Sequence, residues 1–157
     1  EAGIQSPYIG GFNDTIEFDA NGGLIVCTAP FEDYTVEQIT RFDAENRVLY
    51  QKTLSAPKTI ASVTDAFPSA DGSVTLYGTA MANSRKLFTL YRLDLDAQGN
   101  IAAVDIRNFT TRVGYLYDVR ADAQGHIYAI ACDYKKPIAV VPFEDLPAHD
   151  DPGLILE

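Results

Sequence analysis

The quartet DAQG occupies residues 96–99 and again residues 122–125 of the 157-residue chain. Related quartets precede it, and the copies follow one another at intervals of 24 to 27 residues: DANG from Asp19, DAEN from Asp43, SADG from Ser69, then the two DAQG copies. Aspartate bonds its own backbone two residues further on, and glycine or asparagine accepts the positive φ of a tight hairpin. Each copy therefore predicts a turn between two antiparallel strands. A sixth turn is expected at HDDPG, residues 149–153.

The segments between these turns have the composition and the spacing of strands. They are rich in Val, Ile, Thr, Tyr and Phe, and they alternate or run apolar over strand lengths, as in TIEF, SVTLYGTA, LFTLYRLDL, RVGYLYDV and HIYAIA. Only YTVEQITRF, residues 34–42, has a spacing that suits a helix. Its threonines and Val36, together with its position before a turn, favour a strand. The sequence predicts an all-β chain.

Pairs of hairpins group the strands into larger units. Three consecutive four-stranded antiparallel meanders fit the chain, at about residues 10–54, 58–109 and 112–157. Four strands at this repeat length are typical of a β-propeller blade. The phrases LYRLDLDAQGN and DAQGHIYAI also resemble segments of bacterial β-propeller repeat proteins of the NHL and quinoprotein-like kind. The resemblance implies a single propeller-like segment over residues 1–157; a β-sandwich or an open barrel is the alternative.

Three blades are too few for a closed propeller, since known closed forms have four or more. An isolated stack of three would leave apolar faces and strand edges that favour association. We therefore expect either self-association or the remaining blades of a longer chain. The start at Glu1, without methionine, indicates either a mature product or a piece cut from a longer chain, and the cut piece is favoured. A secreted or cell-surface location is expected.

Composition limits the partners of the chain. The hydrophobic content of 46% is enough for a sizeable core, and the formal net charge is −10. This charge repels phosphate backbones and anionic lipid headgroups, so nucleic acid is not an expected partner. No apolar run approaches the roughly 20 residues that cross a bilayer, so membrane insertion is not expected either. No glycine-rich phosphate loop, nucleophile elbow or metal cluster indicates a cofactor.

Cys27 and Cys132 are the two cysteines, and both lie in apolar, strand-like runs. Neither belongs to a cluster with the spacing of metal ligands. Buried free thiols are the favoured interpretation, and a disulfide between the two is the alternative.

The longer connections, which lie opposite the predicted hairpin turns, are the natural place for a ligand. They are more aromatic than the hairpin turns and concentrate basic residues in an otherwise acidic chain. An anionic or sugar-like ligand on this face is expected to contact Tyr34, Arg85, Lys86, Tyr134, Lys135 and Lys136. The alternative is that these charges serve solubility alone.

Two sets of carboxylates have positions or spacings that suit a chemical site. Glu17, Asp65 and Asp118 lie on the predicted innermost strands, where carboxylates perform general acid and base chemistry in some glycosidases. Hydrogen-bonded channel residues are the alternative. The stretch from Asp94 to Asp105 also has acidic residues at the spacing of an EF-hand loop, with Asp96 between them. The hairpin turn explains Asp96 without a metal, so no metal site is predicted.

No catalytic constellation identifies a reaction. The sequence favours a non-catalytic binding or assembly module of a propeller-like protein. The alternatives are a fragment of a carbohydrate-active enzyme that uses Glu17, Asp65 and Asp118, and a purely structural domain that associates with itself.

Overall fold

A computed structural model describes residues 15–30, 33, 35–56, 59–82, 88–109, 115–133, 136–151 and 153–157. Within these residues the chain forms twelve strands and one short 3-10 turn, Phe143–Asp145. The strands are β1 Thr15–Phe18, β2 Leu24–Thr28, β3 Glu37–Phe42, β4 Val48–Ser55, β5 Thr59–Pro68, β6 Val74–Ala82, β7 Phe88–Leu95, β8 Ile101–Phe109, β9 Tyr115–Ala121, β10 Ile127–Asp133, β11 Lys136–Pro142 and β12 Ile155–Leu156. The all-β prediction is confirmed. No helix in the described part of the chain has the length and hydropathy of a membrane span.

The first five predicted hairpin turns are present and share one geometry. In the turn that Asp96 opens, the Asp96 N–H donates to the carbonyl oxygen of Asn100 at 2.9 Å, and the Gly99 N–H donates to the carbonyl oxygen of Asp96 at 3.0 Å. The fourth residue of each turn has a positive φ: Gly22, Asn46, Gly72, Gly99 and Gly125. This is a three-residue loop whose last residue is left-handed, one of the common hairpin connections. The Asx bonds are present as predicted, because Oδ1 of Asp96 accepts the N–H groups of Gln98 and Asn100.

The strands form three antiparallel sheets. The first sheet has the order β1-β2-β3-β4-β12, the second β5-β6-β7-β8, and the third β11-β10-β9. The first two sheets contain the predicted four-stranded meanders. Glu37–Phe42 is a strand, as the β-branched composition of residues 34–42 indicated, and its residues alternate between buried and half-buried positions along most of its length.

The third meander differs from the prediction, because its fourth strand does not join its own sheet. After β11 the chain forms the 3-10 turn, whose Phe143 is buried against the second sheet with its ring 5.4 Å from that of Tyr77. The next residues run along β8, where Ala148 forms a bridge with Arg107. The sixth turn, with Gly153 at φ 88°, then leads into β12, which pairs with β4 of the first sheet. The sixth turn is therefore not a hairpin, and its following strand takes a partner distant in sequence.

The second sheet lies between the other two, because its opposite faces belong to different cores. Leu76 and Leu93 point to one side and form a buried cluster with Ile25 and Ile39 of the first sheet. Tyr77 and Leu90 point to the other side, where they contact residues of the third sheet: Val119, Ile127 and Ala129. Burying a Leu or Ile side chain stabilises a fold by roughly 1.5–3 kcal/mol. The two shared cores therefore join the sheets into one stack.

Candidate functional site

Two of the three carboxylates predicted as an inner-strand site meet in the structure. The first strands of the sheets are neighbours, since β1 contacts β5 and β5 contacts β9. The guanidinium group of Arg120 joins Asp65 of β5 to Asp118 of β9. Its Nη1 lies 3.0 Å from Oδ2 of Asp65, and its Nη2 lies 2.9 Å from Oδ2 of Asp118. Glu17 is half-buried on β1 and close enough to Asp65 to interact with it electrostatically. We call these four residues the inner-strand cluster.

Asp65 and Asp118 are equivalent positions of a structural repeat. Each lies four residues before the residue that opens the next turn, and each lies beside a β-bulge, where Thr64 and Tyr117 have no cross-strand partner. Each carboxylate accepts the N–H of the following residue at 2.9 Å. The third carboxylate, Glu17, is not equivalent, because it lies two residues before its turn. The sequence signal for the pairing of Asp65 with Asp118 is that each lies four residues before a turn. The position of Arg120 has no comparable repeat in the sequence.

Burial governs the electrostatics of the cluster. Asp65 is 4% exposed, and burial raises the pKa of its carboxyl above the usual value, while the Ala66 N–H and Arg120 lower it and Glu17 and Asp118 raise it. Arg120 is largely solvated, with 61% of its side chain exposed. The cluster is therefore a short ion-pair network at the rim of the stack that ties β5 to β9.

The aspartates at EF-hand spacing are held by protein groups. Asp94 accepts hydrogen bonds from Thr75 at 2.7 Å and Arg92 at 3.0 Å, and Asp105 pairs with Arg107 at 2.7 Å. Asp96 is occupied by the backbone of its own turn. Over the described ranges, no three carboxylate, imidazole or thiol groups are placed to hold one metal ion.

The predicted ligand residues of the longer connections lie almost entirely outside the described residues. This applies to Tyr34, Arg85, Lys86, Tyr134 and Lys135. Lys136 begins β11, where its backbone pairs with Asp133. The prediction of a ligand on this face stays a prediction.

The two cysteines lie in different sheets, Cys27 in β2 and Cys132 in β10. Cys27 is a free, fully buried thiol, as the sequence favoured, and burial raises its pKa well above the usual value. The side chain of Cys132 lies outside the description.

The face of the first sheet that points away from the second sheet carries an apolar row, which no sequence argument anticipated. Cross-strand pairing places Phe18 beside Leu24, Leu24 beside Phe42, and Phe42 beside Val48, so the row crosses four strands. Phe18 is 69% exposed and Val48 is 57% exposed, and Ile16 in the next row is 46% exposed. We call this the outer face of the first sheet. Leu24 is half-buried and Phe42 is only 6% exposed, so the row is open to solvent at its two ends. Exposed apolar side chains grouped on one face favour a contact surface.

Comparison with known proteins adds no family to this geometry. Models of protein families give no match to the chain, and a search of curated proteins found no similar sequence.

Proposed function

We propose that this chain is a non-catalytic assembly module of propeller-like sheets, in which the outer face of the first sheet packs against a sheet of a second copy. The observation that carries the proposal is the exposure of Phe18 and Val48, which are each more than half exposed at the two ends of an apolar row whose inner residue Phe42 is buried. Covering such residues is worth roughly 25 cal/mol per Å² of apolar surface removed from water.

The packing of the second sheet against its two neighbours favours another sheet as the partner of the outer face. Within one molecule, sheets of this kind bury apolar rows against one another on both sides, as Leu76 does toward the first sheet and Tyr77 toward the third. A further sheet on the outer face would extend the same stack by the same type of contact.

A second copy supplies a matching open surface. On the third sheet, Ile130 pairs with Val140, whose side chain is 58% exposed, and both point away from the core residue Ala129. Packing the outer face of one copy on this surface of the other, and the reverse, would form two equal contacts about a two-fold axis. The remaining blades of a longer chain would meet the same surfaces.

One observation favours an alternative function, hydrolysis by the inner-strand cluster. Burial raises the pKa of Asp65, and a raised carboxyl pKa is a property of general acids in glycosidases. Against it, Arg120 occupies an oxygen of both Asp65 and Asp118. Aryl glycosides test this alternative: turnover that Asp65→Asn abolishes, with an unchanged far-UV circular dichroism spectrum, would favour the enzyme.

Sedimentation equilibrium tests the assembly proposal. We expect the wild-type chain to dimerise, and we expect Phe18→Lys and Val48→Lys to weaken the dimer at least about tenfold, because each puts a charge into an apolar contact. Val104→Lys is the matched control, since Val104 is 38% exposed on β8 of the middle sheet. A wild-type chain that stays monomeric at high concentration, or a dimer that both outer-face variants leave unchanged, would contradict the proposal.

A further inference from the structure

The five hairpin turns share a backbone geometry but differ in their third residue. In chain order, the third residues are Asn21, Glu45, Asp71, Gln98 and Gln124. Each is followed by the residue with positive φ, which is glycine in every turn except the second. Asn21 is the only asparagine of the chain that precedes a glycine. The first turn therefore combines a side-chain amide with a following backbone nitrogen that carries no Cβ.

This combination permits a specific reaction, the loss of the side-chain amide as ammonia. The backbone nitrogen of the glycine, once it has lost its proton, forms a bond to Cγ of the asparagine. The Cγ–Nδ2 bond breaks, and Nδ2 takes up a proton and leaves as ammonia. Water then opens the five-membered ring at either of its carbonyl groups, which gives aspartate or isoaspartate. Glycine favours the ring closure because no Cβ obstructs its nitrogen.

The structure presents both reacting groups to solvent. Asn21 and Gly22 are exposed, so water can reach the ring that they would form. The Gly22 N–H donates to the carbonyl oxygen of Asp19 at 3.2 Å, whereas the equivalent hydrogen bond in the other four turns is 3.0 Å long. The nearest atom to a Cβ built on Gly22 would be Cβ of Ala44, at an ordinary contact distance of 3.7 Å. Little packing therefore opposes the opening that frees the Gly22 nitrogen.

The other turns provide comparisons in the same backbone geometry. Gln98 and Gln124 also precede glycine, but their longer side chain has one more rotatable bond to fix before its amide carbon meets the nitrogen. Asp71 precedes glycine too. The hydrogen bond from the Ser73 hydroxyl holds the pKa of Asp71 below its usual value, so this carboxyl stays ionised and resists attack by a nucleophile. The reaction is therefore fastest in the first turn.

The product would lose a contact that joins the first two sheets. Nδ2 of Asn21 donates to the carbonyl oxygen of Ala70 at 3.2 Å, which links the first turn to the turn that Ser69 opens. After the reaction a carboxylate would face this carbonyl oxygen and would have no hydrogen to donate. Isoaspartate would also lengthen the backbone of the turn by one atom. We propose that Asn21 is a site of spontaneous deamidation, and that its product loosens the contact between the first and second sheets.

Prolonged incubation of the native protein in buffer, followed by peptide mapping with mass spectrometry, tests the site. We expect the peptide that contains Asn21 to gain the mass of an amide-to-acid conversion at least about tenfold faster than the peptides of the two DAQG turns, because its ring closure is the least hindered. Enzymatic methylation of isoaspartate identifies the ring, since direct hydrolysis of the amide gives aspartate alone. Asn21→Gln is the matched variant, because it creates a further DAQG turn and should stay unmodified.

Asn21→Asp tests the consequence of the reaction separately from the reaction itself. In urea unfolding, we expect this variant to raise the equilibrium constant for unfolding about fivefold, since one hydrogen bond between the sheets is lost. Gln98→Glu is the control, because it adds the same charge to an exposed position of an equivalent turn and should leave the constant unchanged.

Three results would overturn the proposal. The first is an Asn21 peptide whose mass changes no faster than that of the DAQG turns, or changes only when urea unfolds the protein. The second is a product that contains aspartate without isoaspartate, which would show direct hydrolysis in place of ring closure. The third is an Asn21→Asp variant that is as stable as the wild type, which would show that the contact with Ala70 does not hold the sheets together.

Discussion

Arg120 and Asp65 are 55 positions apart in the chain, yet Nη1 of Arg120 donates to Oδ2 of Asp65 at 3.0 Å. The contact joins the first strands of the second and third sheets. Asp65 is buried and Arg120 is largely exposed, so the guanidinium approaches Asp65 from the solvent side. Burial disfavours the ionised form of this carboxyl group, and the positive charge of Arg120 stabilises it.

The first prediction concerns Arg120→Gln. Because Arg120 lowers the pKa of Asp65 against the effect of burial, its removal should raise that pKa further. An acid whose folded pKa lies above its unfolded value destabilises the fold as pH rises from the unfolded to the folded pKa. The variant should therefore lose more stability between pH 4 and pH 7 than the wild type, by about 1 kcal/mol for this half-solvated pair.

Carboxyl-detected NMR measures the pKa of Asp65, and urea unfolding at the two pH values measures the stability. Arg47→Gln is the control, since Arg47 is 75% exposed and pairs with the surface residues Asp43 and Glu45. An Asp65 pKa that stays the same in Arg120→Gln would show that the ion pair is not formed in solution.

The second prediction concerns the turns and acid pH. Oδ1 of Asp122 accepts the N–H groups of Gln124 and His126 at 2.9 Å, and Oδ2 lies 2.8 Å from Nδ1 of His126. The hydrogen bond from His126 is the largest of the lowering causes, and together they hold the pKa of Asp122 below its usual value. A lowered folded pKa gives stability that is present above the unfolded pKa and is lost as pH falls through the folded one.

Asp122→Asn keeps an acceptor for the backbone and removes the titrating group, so its melting temperature should fall less between pH 5 and pH 2 than that of the wild type. Asp122→Ala removes the acceptor too and should melt lower at every pH. Glu144→Gln, which removes an exposed carboxylate outside the hairpin turns, is the control. Equal pH profiles for Asp122→Asn and the wild type would contradict the prediction.

The turns show why part of this fold is predictable from the sequence. A turn of this kind is decided within five residues, by a carboxylate that bonds the next N–H groups and by a residue that accepts positive φ. Asn46 fills that position in the second turn with φ 62°, where the other turns have glycine. The strands between the turns follow from composition and alternation, so the first two meanders could be predicted as well.

The remaining features depend on contacts between distant residues. The apolar run of residues 154–156, which contains β12, fits the edge of any sheet, and the burial of Phe143 beside Tyr77 directs the chain away from the third sheet. The role of Arg120 likewise depends on which strands become neighbours. Among the predicted site residues, Asp65 and Asp118 could be proposed because they lie on the predicted innermost strands, whereas their shared partner could not.

The third prediction concerns the close approach of β7 to β6 at Gly78. Tyr91 is fully buried, and its hydroxyl donates to the carbonyl oxygen of Ser62 at 2.7 Å. A Cβ at Gly78 would collide with that carbonyl oxygen and with two atoms of Tyr91, the hydroxyl oxygen and Cζ. Gly78→Ala should therefore lower the free energy of unfolding by roughly 1–3 kcal/mol, and Tyr91→Phe by about 1 kcal/mol.

Urea unfolding of the two single variants and the double variant checks this arrangement. Removing the hydroxyl relieves one of the three collisions, while those with the Ser62 carbonyl oxygen and the ring Cζ remain, so the double variant should lose somewhat less stability than the sum of the single variants. Strict additivity would mean that the Tyr91 hydroxyl does not lie over Gly78.

The fourth prediction concerns the thiol of Cys27. Burial, and then the charge of Glu37, raise the pKa of this thiol, and the thiolate is the reactive form. In a Cys132→Ser background, iodoacetamide should leave the native protein unmodified and should react when urea unfolds it. The fraction modified should follow the unfolding curve measured by circular dichroism. Rapid modification of the native protein would contradict the burial of Cys27 in the shared core of the first two sheets.

The fifth prediction concerns β12, whose two residues give a matched pair. Leu156 packs against the core shared by the first and second sheets, whereas Ile155, its neighbour, is 41% exposed. Leu156→Ala should lower the free energy of unfolding by roughly 1–2 kcal/mol, because it removes partly buried methyl groups, and Ile155→Ala by less than about 0.5 kcal/mol. Urea unfolding of both variants measures the difference. If Ile155→Ala costs as much as Leu156→Ala, the strand is not held on β4 by its inward face, and the last residues would have to be placed on another edge.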